Sequence, residues 1–300
     1  MKNLSIFLSL LVLFAGCADK TVSSLSYKVQ NSCTYYSLQR AECLSKAAFI
    51  DAVKPYKVIF VGDHHSSANA HKIVIELIDE LSHSGFTVLL ANEWFSPADN
   101  ALLKQYIDGR LDANVSKALN WKQHAGYDLV LYEPIYDAVR DNHGQLYGVN
   151  MGREFEKKIS DQNLSAMSEK ERLFYDQLDL NVTVHKEMLS SFFSHCHSLK
   201  NGESQQQCSE RMYRVQVAWD SMMGEESAKL SKTLKANEKL IVFIGAMHLE
   251  SGIGANMRFA RKTDIPSITI LPWPKSTKEK NTIDVGLGSS DMIYLYDAEI

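Results

Sequence analysis

Residues 58–95, VIFVGDHHSSANAHKIVIELIDELSHSGFTVLLANEWF, decide the fold. The stretch KVIFVG (57–62) is a short unbroken apolar run, the pattern of a strand buried on both faces. The segment that follows switches to helical spacing. Ile73, Leu77, Ile78 and Leu81 fall on one face, and Gly85 stops the helix. FTVLLANEWF (86–95) returns to the buried-strand pattern. A strand, a helix and a second buried strand imply a parallel pair joined by a crossover.

The same alternation continues outward. SPADNALLKQYIDG predicts a helix with Ser96 as N-cap, Pro97 at its first position and Gly109 beyond its end. Pro134 predicts another helix start, and QLYGVNMGRE (145–154) a third strand. EKLIVFIGAMH (238–248) and SITILPW (267–273) add two more strands, and MIYLYDAEI predicts a last one at the sheet edge. No strand pattern occurs between about 160 and 235, where long amphipathic stretches predominate. The expected fold class is α/β: a mostly parallel sheet flanked by helices, with an inserted small all-helical subdomain. The expected organisation is a lipoprotein signal peptide over 1–16 and a tether with a short helical segment over 17–50. An α/β domain follows over 51–159 and 236–300, interrupted by the helical subdomain over 160–235.

The composition is that of an ordinary globular chain, 45% hydrophobic and 23% charged. A formal charge of −4 and the lack of a lysine/arginine run give no reason to expect nucleic acid or a polybasic membrane patch. The N-terminus is different. Lys2 precedes an apolar run from Leu4 to Phe14, too short to span a bilayer and typical of a secretory signal. Ala15-Gly16-Cys17 resembles a bacterial lipobox, so Cys17 is the expected lipidated first residue of the mature chain. The other four cysteines then form an even set outside the cytoplasm. Four cysteines allow three connectivities, of which Cys33 with Cys43 and Cys196 with Cys208 is the simplest.

In open parallel sheets, ligands bind beyond the carboxyl ends of the strands. The first strand ends in Asp63-His64-His65, the second in Asn92-Glu93-Trp94, and the later GAMH ends in His248. His64, His65, Glu93 and His248 are therefore a candidate metal set, since imidazoles and a carboxylate suit zinc, iron or manganese. The ordinary alternative is a set of solvated loop histidines with Glu93 capping the next helix. No G-x-S-x-G, H-E-x-x-H, P-loop or GxGxxG occurs.

The pieces VGDHH, ANEWFSPADNALLKQYIDG, YDLVLYEPI, GVNMGRE, HCH, RVQVAWDSMM and IGAMHLESGIG, in this order, resemble the ChaN-type haem-binding uptake proteins. More distantly they resemble the Tiki/TraB/erythromycin-esterase-like superfamily. The resemblance covers about residues 56–260 and departs at Asp63, where many relatives carry Glu. It implies a non-enzymatic lipoprotein that binds haem during iron uptake, anchored by lipid at the outer membrane. An outer-membrane haem receptor is the partner it suggests. Haem needs an apolar slot, an axial ligand and cations for its propionates. Tyr132 and Tyr213 are the candidate ligands, and His195 and Lys122 the candidate propionate partners. The absence of CxxCH excludes c-type attachment. So large and flat a ligand also predicts a homodimer closing over it. The alternative is a metal-dependent hydrolase built on His64 or His65, Glu93 and His248.

Overall fold

The computed structural model describes residues 26–111, 117, 119–196, 198–276, 281–286 and 288–299. The signal segment and Cys17 lie outside the described residues. The strands are β1 (Ser26–Gln30), β2 (Tyr35–Ser37), β3 (Glu42–Leu44), β4 (Val58–Asp63), β5 (Thr87–Asn92), β6 (Gln145–Gly148), β7 (Glu238–Gly245), β8 (Ser267–Pro274), β9 (Thr282–Gly286) and β10 (Met292–Tyr296). The helices that position the site are α1 (Lys46–Val53), α2 (Ala68–His83), α3 (Asn100–Ile107), α4 (Trp121–His124) and α5 (Glu133–Asp141). They continue with α6 (Arg153–Ser160), α7 (Glu169–Asp176), α8 (Thr183–Phe193), α9 (Gln205–Ser231) and α10 (Ala255–Ala260).

Eight strands form one sheet in the order β3-β2-β10-β8-β4-β7-β5-β6. The six from β10 to β6 are parallel, so their carboxyl ends line one rim. β4 shows why continuous apolar runs fit here. Ile59 and Val61 face the core beneath α2 and α5, and Val58 and Phe60 face the opposite core. α2 starts at the Ser67 N-cap, whose hydroxyl accepts the Ala70 N–H at 3.1 Å. Gly85, at φ +87°, turns the chain into β5.

Two sequence expectations change. Residues 26–44, expected as tether and short helix, hold β1, β2 and β3, and helix begins only at Lys46. β2 and β3 are three residues each, too short to carry a readable alternation. β10 is not the edge: β2 pairs antiparallel along its free side, and β3 becomes the outer strand. β1 and β9 form a separate antiparallel pair.

Within residues 160–231, α7 and α8 pack against α9 as a helical layer over the second face of the sheet. The 27-residue α9 runs from that layer down onto the sheet core, where Met223 and Ala228 are buried. Gly224 permits its close approach to α10, since a Cβ there would sit 2.6 Å from the Ala255 carbonyl. Disulfides join Cys33 to Cys43 and Cys196 to Cys208. Among the described residues, no helix is long and apolar enough to cross a membrane.

Candidate functional site

Three strand ends converge on the rim. β4 delivers Asp63 and, one turn on, His65. The residue after β5 is Glu93. A single 3-10 turn after β7 delivers His248. Glu93 lies between the two imidazoles. His65 Nε2 is 3.6 Å from one carboxylate oxygen, and His248 Nε2 is 3.8 Å from the other. The Gly245 N–H donates to Glu93 at 2.8 Å. Gly245 also makes room for both rings, since a Cβ there would meet His65 and His248 at 3.1–3.2 Å.

Each imidazole is held from behind by an aspartate. His65 Nδ1 lies 2.9 Å from Asp63, which also accepts from the Tyr132 hydroxyl at 2.9 Å and contacts His71 Nε2 at 2.7 Å. His248 Nδ1 lies 2.6 Å from Asp220 on α9, with the Gln216 amide at 2.8 Å. Asp220 is fully buried. His185 Nε2 is 3.2 Å from its second oxygen, in contact but off the line of a good hydrogen bond, and Arg258 is 3.8 Å away. A ligand-bearing imidazole backed by a carboxylate is held in one orientation.

The electrostatics follow from burial and these partners. Burial pushes the Glu93 carboxyl above its ordinary range, against the pull of His248 and His65. Burial, the largest single influence, disfavours charge on His65 and His248, but the hydrogen bonds to Asp63 and Asp220 together with the charges of those aspartates and of Glu93 outweigh it and raise both imidazoles. The two aspartates move the other way. Burial alone would raise them, yet histidine donors hold both carboxyls below their ordinary range.

Asp63, His65 and Glu93 offer ligand atoms within 4.8 Å of one another, a geometry able to hold a metal ion. His248 faces the same space. The cluster opens into a cleft of about 580 Å³ lined also by Trp94, Tyr127, Arg153 and Lys157. That cleft shares Ser96, Asn150, Met151 and Gly152 with a groove of about 800 Å³, walled by Phe155, Phe174 and Met222.

His65, Glu93 and His248, read from sequence, thus stand together. His64 does not join them: its Nδ1 meets the Tyr296 hydroxyl at 2.7 Å, because successive residues beyond a strand point to opposite sides. The four haem-contact candidates are not gathered either. Tyr132 is 0% exposed, packed among Trp94, Trp121 and His71, with its hydroxyl engaged by Asp63. Burial and the Asp63 charge push its phenol far above the ordinary range. Tyr213 lines a different cavity of about 370 Å³ against α8. His195 and Lys122 lie on the exposed surface, and neither lines the cleft. Sequence reasoning missed His71, Asp220, Gln216 and Tyr127. Tyr127 is 40% exposed with its ring 4.8 Å from His65, and it stands only five residues before Tyr132 in the segment already singled out. Asp220 lies within RVQVAWDSMM, but as one acid in a long amphipathic helix it carried no signal of its partner.

The family profile described as haem-binding uptake, Tiki superfamily, ChaN matches residues 49–259. No curated protein matches. The structure reported for cofacial haem binding to ChaN of Campylobacter jejuni superposes with a TM-score of 0.68 at 18% identity, covering 88% of this chain and 97% of that one. The type III effector HopBA1 gives a TM-score of 0.47 at 16% identity over 84% and 93% of the two chains. An erythromycin esterase mutant in its open conformation gives 0.44 at 12% identity over 84% and 83%. The first likeness shows a shared fold; the other two are too distant to carry an argument.

Proposed function

The chain belongs to the ChaN-type haem-binding uptake family of the Tiki superfamily, and from that premise we propose that it binds haem in the rim cleft and serves haem uptake without being an enzyme. The observation that carries the reading is the continuity of the polar cleft with the apolar groove. The residues fit the group. Met151, Phe155, Phe174 and Met222 offer an apolar wall to the macrocycle, and Arg153 and Lys157 offer cations to the propionates. Tyr127 replaces Tyr132 as the candidate iron donor, because its hydroxyl-bearing ring reaches solvent at the cleft. Haem bound there would supply iron, for which the Tyr127 phenol oxygen would be a donor.

Titrating the apoprotein with haemin tests this. A saturable Soret band at micromolar haemin is expected, and Tyr127→Phe shifts that band and weakens binding about tenfold. No Soret change with the wild-type chain would end the reading.

The rest of the proposal concerns place and partners. Lipidation at Cys17 anchors the chain to the outer membrane, where it exchanges haem with a receptor. Tyr127, 40% exposed in the cleft lining, and Val130, 60% exposed three residues further on, give a second copy apolar surface to cover. Loss of palmitate labelling in Cys17→Ser is expected. So is a doubled mass by light scattering on haem loading; a loaded monomer would exclude the dimer.

The clustering of Asp63, His65 and Glu93 favours a second reading, a metal-dependent hydrolase in which bound water is activated by a divalent ion. One equivalent of zinc or manganese in purified protein, with no haem binding, would move the assignment there.

A further inference from the structure

Away from the rim, the chain repeats a short motif that haem binding leaves unused. Asn-x-Ser or Asn-x-Thr, the acceptor pattern for N-linked sugar, occurs at Asn3, Asn114, Asn163 and Asn181. The last three share a longer form. Asp112-Ala113-Asn114-Val115-Ser116, Asp161-Gln162-Asn163-Leu164-Ser165 and Asp179-Leu180-Asn181-Val182-Thr183 each place an aspartate two residues before the asparagine. Asp and Glu are only 36 of the 300 residues, so composition does not account for an acid before all three. Residues 112–116 lie outside the described residues. The other two copies fall in turns beside helices of the helical layer. Asn163 follows the end of α6, where Gln162 stands at φ +49° and the Asn163 N–H donates to the Lys158 carbonyl at 2.9 Å. Asn181 lies in the turn between α7 and α8, its N–H donating to the Asp179 carboxylate at 3.2 Å. Both asparagines are exposed, as are their partners Ser165 and Thr183. The Ser165 hydroxyl donates to Asn163 Oδ1 at 3.0 Å, which engages the oxygen of the amide and not its nitrogen. The acids are loosely held. Asp161 pairs with Lys200, and Asp179 with Arg261 at 3.1 Å, all at the surface. Such pairs contribute about 0–1 kcal/mol, so either carboxylate can turn to another cation.

We propose that Asn163 and Asn181 are acceptors for an N-linked oligosaccharide, with Asp161 and Asp179 as the anions that dock each turn against a cationic groove of the transferase. The donor is an oligosaccharide joined through pyrophosphate to a polyprenyl lipid, and the enzyme is a membrane-bound oligosaccharyltransferase. The bond from the sugar's anomeric carbon to the pyrophosphate oxygen breaks. A bond from that carbon to Asn Nδ2 forms, the amide loses one hydrogen as a proton, and the lipid pyrophosphate leaves. Nothing is oxidised or reduced. The two disulfides suit the exported, oxidising setting in which such transfer takes place. Neither asparagine lines the rim cleft or the apolar groove, so a glycan at either leaves the proposed haem site open. Glycan attachment and haem binding can therefore fail separately.

The test is mass spectrometry of the full chain isolated from the cell that encodes it, first intact and then as peptides. One oligosaccharide is expected on the peptide holding Asn163 and one on the peptide holding Asn181. In the same host, Asp161→Ala should lose the glycan at Asn163 and keep that at Asn181, and Asp179→Ala should do the reverse. Each variant thus carries its own control for export and folding in the site left intact. A native chain bare at either asparagine would overturn the assignment at that position, and this measurement needs no variant. Undiminished glycan at both sites in the two aspartate variants would overturn the role given to the acids.

Discussion

The two imidazoles of the rim look alike from the cleft and are built in opposite ways. His65 is held by neighbours: Asp63 and His71 lie within eight residues, on one strand and the first turn of the next helix. His248 is held by strangers. Asp220 comes from α9, His185 from α8 and Arg258 from α10, all packed above the other face of the sheet. The residue behind each aspartate differs too: the His71 imidazole behind Asp63, the Arg258 guanidinium behind Asp220. An imidazole can stand neutral or charged, whereas a guanidinium stays charged. The same local chemistry thus has an adaptable version and a rigid one, and the rigid one depends on the helical layer staying docked.

The largest expected effect tests that asymmetry. Asp220→Ala strands Arg258 without its buried anion and should cost about 3–5 kcal/mol in denaturant unfolding. Asp63→Ala strands no permanently charged group, so its loss should stay nearer 1–3 kcal/mol, that of an unmade buried hydrogen bond. Equal losses would break the comparison. Next, replacing Cys196 and Cys208 together by Ser opens the connection between α8 and α9. A cost of about 2–4 kcal/mol is expected, with the NMR signals of His248 broadened and those of His65 unchanged. Broadening of both would mean that the helical layer supports the whole rim.

Gly245→Ala bears on the point where the two arms meet. The added methyl must displace both rings by a few tenths of an ångström, at a cost of about 1–3 kcal/mol. Signals of His65 and His248 should shift together. The smallest effect is a gain. The Glu93 carboxyl is raised in the folded chain, so folding binds its proton more tightly than the unfolded chain does. Its contribution is therefore present below the ordinary glutamate range and is lost as pH rises through the folded value. Glu93→Gln should match the wild type in acid and exceed it by on the order of 1 kcal/mol above that range. Asp63 and Asp220, both lowered, run the other way: their stabilisation is lost as pH falls through their folded values. A constant difference between Glu93→Gln and wild type across pH would refute the assignment.

By itself the sequence determined the parallel sheet and the rim. Continuous apolar runs such as VIFV and IVFIG can be satisfied only by strands buried on both faces, and crossovers then put their polar tails side by side. His65, Glu93 and His248 were readable because each follows directly on such a run. The three-residue strands β2 and β3 were not, for want of enough alternation. Choosing His65 over His64 needed the turn after β4, and passing over Tyr132 for Tyr127 needed burial, since a sequence shows that a tyrosine is near a site but not which way it faces. Asp220 and His185 were decided by tertiary structure alone. Helical periodicity assigns residues to a face, but only the docking of α8, α9 and α10 over the sheet turns that face into a support for His248.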